Sequence, residues 1–462
     1  MTAFSPQDKT DLPDFPVFPA DFRWGASTSA FQIEGALDED DRGESIWDVF
    51  SNADGKIIDG STAAIAADSY HRYPEDVALL DGLGVSDYRF SVAWPRVQPA
   101  GSGAVNLKGL DYYERLVDEL LARDIAPIPT LFHWDLPTPV EDAGGWLSRD
   151  TAYRFADYAG LVADRLGDRV ARWITLNEPA MTTLLGYATG RHAPGRALLF
   201  ESLPTAHHQL LGHGLATSAL RERGVREVGI ANNHTLVVAA SDSEPDRLAA
   251  EGYDMIYNRV FADPLLLGRY PDLTAFGFPE FPGLRPGDVD IIATPLDFYG
   301  VNSYNPTRIG APAAGSEAAA LGLPFDEVPF DATEVTGFGW PIKPAALTEL
   351  LVKLTDRYPD VLPPIVITEN GCSFPDRPEN GRVEDTSRIG YLDGHIRAVH
   401  EALRRGADVR GYYVWSLLDN FEWAEGYTQR FGLYYVDFST GERTAKASAD
   451  WFRELIAASR QS

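Results

Sequence analysis

Short apolar or aromatic runs recur along the chain, and each ends abruptly in polar residues before a stretch with helical periodicity begins. This alternation predicts strands that each lead into a helix, an order that favours a parallel sheet. Eight such runs follow one another, at 22–26, 87–92, 126–132, 172–176, 228–232, 298–302, 364–368 and 411–415. Eight parallel strands are the number that closes a (β/α)8 barrel.

Two of the intervening stretches show the helical pattern clearly. Apolar residues line one face of the segment 110–121, and Asn106 precedes it as a candidate N-cap. The segment 389–403 repeats the pattern, and Gly406 stands where a helix commonly ends in a left-handed residue. These signals support an α/β fold with a helix after each strand.

The chain shows no fixed-period repeat and no low-complexity linker, because its Gly and Pro residues are scattered rather than pooled at one boundary. We therefore predict a single catalytic TIM barrel over residues 17–460, preceded by an N-terminal extension over residues 1–16. The Gly-, Ala- and Pro-rich stretch 303–339 is expected to be an insertion at the C-terminal face of the barrel.

The composition of the chain limits the classes of binding partner and the cellular location that we expect. The formal net charge of −28 disfavours nucleic acid and anionic membranes, since both repel such a surface. Cys372 is the only cysteine, which fits a reducing compartment, and the first twenty residues do not resemble a signal peptide. We expect a cytoplasmic protein without a membrane span; the sequence leaves a homo-oligomer open.

Polar and aromatic residues cluster just after the predicted strands, where the loops of such barrels form the active site. Two glutamates, Glu178 and Glu369, end the fourth and seventh apolar runs, and a closed barrel would bring them together across one pocket. Paired carboxylates of unequal pKa are what glycoside hydrolysis requires. The two glutamates are therefore the leading catalytic candidates.

Several motifs resemble glycoside hydrolase family 1, the β-glucosidase-like enzymes, over nearly the whole chain. The matching segments are FRWG at 22–25, FQIEG at 31–35, RFS at 89–91, HWDLP at 133–137, TLNEP at 175–179, ITENG at 367–371, WSLLDNFEW at 415–423 and RFG at 430–432. The resemblance implies a retaining exo-β-glycosidase that removes terminal β-D-glucosyl residues from β-glycosides or cello-oligosaccharides. Galactosyl and fucosyl residues remain open as further glycones, and no cofactor or metal is implied.

The resemblance also implies a role for each matching residue. Glu369 would be the nucleophile and Glu178 the acid/base, with carboxyl groups about 5–5.5 Å apart as in retaining enzymes. The negative charge of Glu369 would raise the pKa of Glu178, while Arg89 and Tyr304 would keep Glu369 ionised. The implied substrate-binding residues are Gln32, His133, Asn177, Tyr304, Trp340, Trp415, Glu422 and Trp423.

Within that set the expected tasks differ. Asn177 would hold the sugar 2-hydroxyl, and Glu422 would grip two further hydroxyls as an ionised carboxylate. Trp415 and Trp423 would supply apolar faces to the sugar ring, and Trp340 a wall towards the aglycone. A cis peptide bond after Trp415 is a further expectation from the resemblance.

Other readings of these residues stay open. The barrel could be a sugar-binding protein that has lost catalysis, or a metal-dependent hydrolase with His and Asp ligands at strand ends. The histidines at 207, 208 and 213 suggest a packed or solvated helix face more than a metal cluster. Trp24 and Trp134 are equally compatible with core packing and with sugar contact, and Arg89 with a purely structural ion pair.

Overall fold

The computed structural model describes residues 15–331 and 333–460, and in it eight parallel strands close into one barrel. The strands are β1 Arg23–Ser27, β2 Asp87–Ser91, β3 Ala126–Phe132, β4 Arg172–Asn177, β5 Glu227–Asn233, β6 Phe298–Asn302, β7 Ile365–Asn370 and β8 Val409–Trp415. Each strand pairs with the next, and β1 pairs with β8 to complete the ring. The predicted (β/α)8 fold is confirmed.

A longer helix follows each strand. These helices are α1 Ser69–Leu83, α2 Leu107–Leu121, α3 Asp150–Leu166, α4 Leu203–Glu222, α5 Val260–Leu267, α6 Pro344–Arg357, α7 Thr386–Arg404 and α8 Ala447–Ser459. Asn106 caps α2 as predicted, since its side chain accepts a hydrogen bond from the amide of Lys108 at 3.2 Å. Gly406 has a φ of 98° just beyond α7, which confirms the predicted helix end.

Shorter elements elaborate the connections. The additional α-helices are Ala30–Ile33, Ile46–Ser51, Trp94–Val97, Thr138–Asp142, Pro179–Met181, Glu244–Asp254, Asp288–Ile292 and Glu317–Ala320. The 3-10 turns are Gly145–Leu147, Leu199–Ser202, Thr274–Phe276 and Trp423–Glu425, and the π-helical segments are Thr182–Ala188 and Met255–Arg259. The outlying strands are Val237–Ala239, Thr307–Gly310, Asp326–Glu327, Tyr434–Asp437 and Glu442–Ala445.

The predicted strand boundaries agree with the structure to within two residues, and the differences matter at two sites. Strand β4 extends to Asn177, so Glu178 is the first residue after the strand. Strand β7 begins at Ile365 rather than Pro364 and continues to Asn370, so Glu369 lies within the sheet. A glutamate fixed by strand pairing has less freedom than one on a loop.

The barrel interior is filled by side chains from successive strands. One buried cluster unites Ile128, Ile174, Ala231, Phe298, Val366 and Tyr413, which come from β3 to β8. Such layers make the interior of a TIM barrel a packed core rather than a pore. The substrate cavity therefore has to lie above this core, at the strand ends.

The predicted N-terminal extension over residues 1–16 lies almost entirely outside the described residues, which begin at residue 15. The predicted insertion 303–339 is partly ordered into two strands and a short helix. In residues 15–331 and 333–460, no helix is long and apolar enough to cross a membrane.

A buried ion network ties the loops after β7 and β8 together. The ammonium of Lys446 donates to Asp376 at 2.6 Å and to Asp419 at 2.7 Å, and its side chain is 0% exposed. Arg388 also contacts Asp376, and Arg430 also contacts Asp419, each at 2.7 Å. The network holds the loop that follows Glu369 against the loop that leads to Glu422.

We expect Lys446→Met to lower the free energy of unfolding by about 3 kcal/mol, because removing one partner of a buried ion pair leaves uncompensated charge. The loss is at the lower end for buried pairs, since Arg388 and Arg430 still neutralise the two carboxylates. Urea denaturation measures it. The matched control Lys108→Met removes an exposed lysine and should keep the wild-type midpoint; equal midpoints for both variants would contradict the prediction.

Candidate active site

A cavity of about 520 Å³ opens at the C-terminal ends of the strands. Most of the predicted site residues line it, namely His133, Glu178, Tyr304, Trp340, Glu369, Trp415, Glu422 and Trp423. The remaining three, Gln32, Arg89 and Asn177, are buried and hydrogen-bond to members of this lining. The fold thus assembles one site from residues far apart in the chain.

Both oxygens of the Glu369 carboxylate have a donor. Arg89 Nη1 donates to Oε1 at 2.5 Å, and the Tyr304 hydroxyl donates to Oε2 at 2.7 Å. The side chains of Arg89 and Glu369 are 0% and 4% exposed, so little water screens their attraction. A cation and a hydroxyl donor both favour the ionised carboxylate.

Arg89 is itself fixed by neighbouring strands. Its Nε donates to the hydroxyl of Thr130 at 3.1 Å, and its Nη2 donates to Asn177 Oδ1 at 2.6 Å. Arg89 therefore is an ion-pair partner, as one reading proposed, and the carboxylate it pairs with is Glu369. The structural and electrostatic roles coincide in one side chain.

Glu178 lies in a different environment from Glu369. It follows β4 with a left-handed φ of 45°, and its amide donates to the carbonyl of Ala231 at 2.8 Å. Its Oε1 accepts from Asn302 at 2.8 Å and from Asn233 at 3.1 Å, both neutral amides. No cation contacts it within the described part of the chain.

Burial raises the pKa of Glu178 to about 8, and the negative charge of Glu369 acts in the same direction. Burial is the larger cause, and the charge of Glu369, which the resemblance led us to expect, is the second. At neutral pH the Glu178 carboxyl is therefore mainly protonated. The site holds one charged and one neutral carboxyl group.

Asn302 links the two sides of the site. Its amide nitrogen donates to both Asn177 Oδ1 at 2.9 Å and Glu178 Oε1 at 2.8 Å. Its oxygen accepts from the hydroxyl of Thr368 at 2.6 Å, next to Glu369, which fixes the orientation of the amide. The positions of the two glutamates are thus coupled through one side chain.

His133 is neutral, because burial and the nearby charge of Arg89 both lower its pKa well below the ordinary value. Its Nε2 lies 2.9 Å from the amide nitrogen of Asn177, whose oxygen already accepts from Arg89. Nε2 must therefore accept from that amide, which places the proton of the ring on Nδ1. Asn177 and His133 form one oriented pair in the lining.

Gln32 and Glu422 form a second polar pair. Gln32 Nε2 donates to Glu422 Oε2 at 3.1 Å and to Asn420 Oδ1 at 3.0 Å. Burial, followed by the charge of Glu369, raises the pKa of Glu422 to about 8. Burial therefore favours the protonated form of Glu422 in the free site, whereas the grip on two hydroxyls expected of it uses the ionised carboxylate.

Aromatic rings surround these polar groups. The His133 ring lies 5.9 Å from both Trp415 and Trp423, measured between centroids, and is nearly parallel to each. Trp340 packs against Tyr304 at 5.2 Å, on the side of Glu369. The peptide bond after Trp415 is cis, as the resemblance implied.

The structure separates the two tryptophans whose roles were open. Trp134 lines the cavity and donates its indole hydrogen to the carbonyl of Asn177 at 3.0 Å. Trp24 belongs to the core, where its indole bonds to Ser459 at 3.2 Å.

The three histidines whose role was open, His207, His208 and His213, lie on α4 and are not among the residues that line the cavity. His207 pairs with Asp288 at 2.9 Å on the buried face of α4, and Cys372 is buried. Within residues 15–331 and 333–460, no group of three or more His, Cys, Asp or Glu residues is placed to hold a metal ion.

The predicted site residues do not include Asn302, described above, or two further contributors to the site. Asn233 donates to Glu178, and Asn420 accepts from Gln32. Asn233 is the last residue of β5, one position beyond the predicted strand, so the rule that strand ends carry the site would have found it. Asn420 is within the recognised WSLLDNFEW segment, but no residue pattern indicated its partner.

The chain resembles known enzymes over almost its whole length. It is 49% identical over 444 residues to thermostable beta-glucosidase B of Thermobispora bispora, covering 95% of this chain and 90% of that protein. It is 45% identical over 460 residues to a bifunctional beta-D-glucosidase/beta-D-fucosidase of Bifidobacterium breve, covering 96% and 98%.

Among solved structures, the psychrophilic beta-glucosidase BglU from Micrococcus antarcticus matches with a TM-score of 0.92 and 44% identity, covering 96% of this chain and 98% of that one. The family model for glycosyl hydrolase family 1 matches residues 16–461. By sequence and by fold, the chain belongs to glycosyl hydrolase family 1.

Proposed function

We propose that the protein is a retaining exo-β-glycosidase that removes terminal β-D-glucosyl residues, with Glu369 as nucleophile and Glu178 as acid/base. The observation that carries the proposal is that two carboxyl groups in one cavity have different surroundings. Arg89 and Tyr304 donate to Glu369, whereas burial raises the pKa of Glu178 to about 8. Double displacement requires this division between nucleophile and acid.

In the first step Glu369 attacks the anomeric carbon, and the bond from that carbon to the leaving oxygen breaks. Glu178 transfers its proton to this oxygen, so the aglycone departs as a neutral alcohol. Asn233 and Asn302 both bond to Oε1 of Glu178, which leaves Oε2 for the leaving oxygen. The products of this step are a glycosyl ester of Glu369 and a Glu178 carboxylate.

Formation of the ester removes the charge of Glu369, and with it one of the causes that raise the pKa of Glu178. Glu178 can then act as a base. It takes a proton from water, the water oxygen attacks the anomeric carbon, and the ester bond to Glu369 breaks. Two inversions at one carbon give net retention.

Recognition of the sugar falls to the polar pairs beside the two glutamates. Asn177 is poised for the 2-hydroxyl, since it adjoins both Arg89 and His133. Gln32, Glu422 and His133 would bind the remaining hydroxyls, with Trp415 and Trp423 against the apolar face of the ring. Galactosides and fucosides belong to the same proposal because these groups do not discriminate one hydroxyl configuration by shape alone.

Two finer points also belong to the proposal. Cello-oligosaccharides are candidate substrates, and a cytoplasmic location is supported by the single cysteine.

A sugar-binding barrel without catalysis is disfavoured because both carboxylates are present and oriented. A metal-dependent hydrolase predicts loss of activity in a chelator, and the proposal predicts full activity there.

We expect Glu369→Gly to lower kcat for an aryl β-glucoside by roughly 10⁴-fold, because the loss of a catalytic nucleophile typically lowers kcat by several orders of magnitude. Azide should restore turnover and give the α-glucosyl azide, because it attacks from the face that Glu369 occupied. The matched variant Glu178→Gly should instead give the β-glucosyl azide, formed from the covalent intermediate. NMR of the azide product decides; failure of rescue in Glu369→Gly would remove that residue from its role.

We expect kcat/KM to fall as the pH rises through about 8, because Glu178 must carry a proton and its raised pKa keeps that proton only below this value. Initial rates with an aryl β-glucoside across neutral and alkaline pH measure the profile. The pKa of Glu422 is also raised to about 8, so either carboxyl group could cause the fall in kcat/KM. The variant Glu422→Gln removes the second titrating group, and kcat/KM should still fall as the pH rises through about 8. A profile in Glu422→Gln that stays flat through this range would contradict the assignment.

A further inference from the structure

We infer that the part of the cavity beyond the glutamates selects an apolar aglycone, an alkyl chain or an arene, in preference to a second sugar. This inference rests on the proposed β-glycosidase function, since it concerns the group released by Glu178. We call this part the outer cavity; it consists of the cavity-lining residues of segments 181–203, 233–257, 305–327 and 338–340. These segments lie on the long connections beyond β4, β5 and β6.

Aliphatic and aromatic side chains make up most of the outer cavity. Representative members are Leu184, Leu199, Phe200, Ile256, Phe325 and Phe338. All of them except Ile256 are only half-buried, so they expose apolar surface where they line the cavity. An apolar aglycone that covers this surface removes it from water, which is favourable in proportion to the area.

Flat aromatic faces occur at two places in this lining. Phe338 stacks on Trp340 with ring centroids 4.4 Å apart and planes 19° from parallel. Tyr253 stacks on Tyr257 at 5.3 Å, and Phe325 meets Tyr253 edge-on at the same distance. Such groups suit a flat or extended apolar ligand.

The hydroxyl groups of the outer cavity are already engaged. Thr189, Ser202 and Thr235 each donate to a backbone carbonyl, at 2.9, 2.6 and 2.9 Å. Tyr257 donates to Asn233 Oδ1 at 2.8 Å. The hydroxyl hydrogens of these four residues are therefore committed to the protein, and a second sugar would find only their oxygen lone pairs.

The side-chain amides also make hydrogen bonds within the protein. Asn233 donates to Glu178 at 3.1 Å while it accepts from Tyr257, and Asn305 donates to the carbonyl of Pro306 at 3.0 Å. A second pyranose would bring several hydroxyls into this region. Each hydroxyl would lose hydrogen bonds to water and gain fewer hydrogen bonds to the protein. Buried hydroxyls without partners weaken binding, and this penalty falls on sugars and not on alkyl or aryl groups.

Charged groups occur only towards solvent in this lining. Arg191 and Glu327 are exposed, and Glu425, which lines the adjoining part of the cavity, is half-exposed. Across the described residues, none of the three makes a side-chain ion pair within 4.0 Å. A sugar hydroxyl that reached them would compete with bulk water, so these groups add little preference for an oligosaccharide.

The direct test compares three β-glucosides that release aliphatic alcohols, namely hexyl β-glucoside, methyl β-glucoside and cellobiose. Because the leaving groups are similar in basicity, differences in kcat/KM report mainly on contacts with the aglycone. We expect hexyl β-glucoside to exceed methyl β-glucoside by at least about tenfold, from the apolar area that a hexyl chain buries. It should also exceed cellobiose. A value for cellobiose equal to or above that of hexyl β-glucoside would overturn the inference.

Paired variants localise the effect. Phe325→Ser removes an apolar side chain from the outer cavity and should lower the hexyl-to-methyl ratio of kcat/KM by about fivefold. Leu321→Ser removes an apolar side chain on the same loop that is 47% exposed and outside the cavity, and should keep the ratio. Equal ratios in both variants would count against the outer cavity as the source of selectivity.

An aryl β-glucoside, tested alongside these three substrates, distinguishes failure of the proposed function from failure of the inferred aglycone preference. If the protein hydrolyses neither the aryl β-glucoside nor any of the other three substrates, the proposed function itself fails. If it cleaves the aryl β-glucoside and cellobiose but shows no preference for the hexyl chain, the proposed function stands and only the inferred aglycone class is wrong.

Discussion

The ion pair between Arg89 and Glu369 is the interaction on which the rest of the site depends. Both side chains are almost completely removed from water, so the carboxylate needs its cation and the cation needs acceptors for its other donors. Asn177 and Thr130 supply those acceptors from β4 and β3. Asn177 then orients His133. One buried charge thus determines the orientation of side chains on several strands.

The same burial that strengthens this pair produces the opposite result at Glu178, which has amide donors but no contacting cation. Its pKa rises to about 8, and the Glu422 carboxyl is shifted to a similar value. A low-dielectric cavity therefore contains one stabilised negative charge and two protonated carboxyl groups at neutral pH. The nucleophile and the acid differ by their partners, not by their residue type.

Sequence patterns were sufficient to predict the barrel, because eight apolar runs separated by helical stretches have few other closed arrangements. Strand-end positions pointed to the two glutamates, whereas the other predicted site residues came from the resemblance to glycoside hydrolase family 1. Asn233 was missed because it follows the apolar run at 228–232 as one polar residue among several. The shifted pKa of Glu422 could not be predicted from the sequence, because burial depends on packing between distant loops, which no local pattern reports. The same holds for the network around Lys446 and for the engaged hydroxyls of the outer cavity.

The charge division between the two catalytic glutamates can be measured directly by ¹³C NMR titration of protein labelled at glutamate carboxyl carbons, with the Glu178 signal assigned from the variant Glu178→Gln. We expect a Glu178 pKa near 8 in the wild-type protein. In Glu369→Gln we expect a lower value that still exceeds that of an exposed carboxyl, because burial remains. A Glu178 pKa in the ordinary range in the wild-type protein, or one unchanged by Glu369→Gln, would contradict the account.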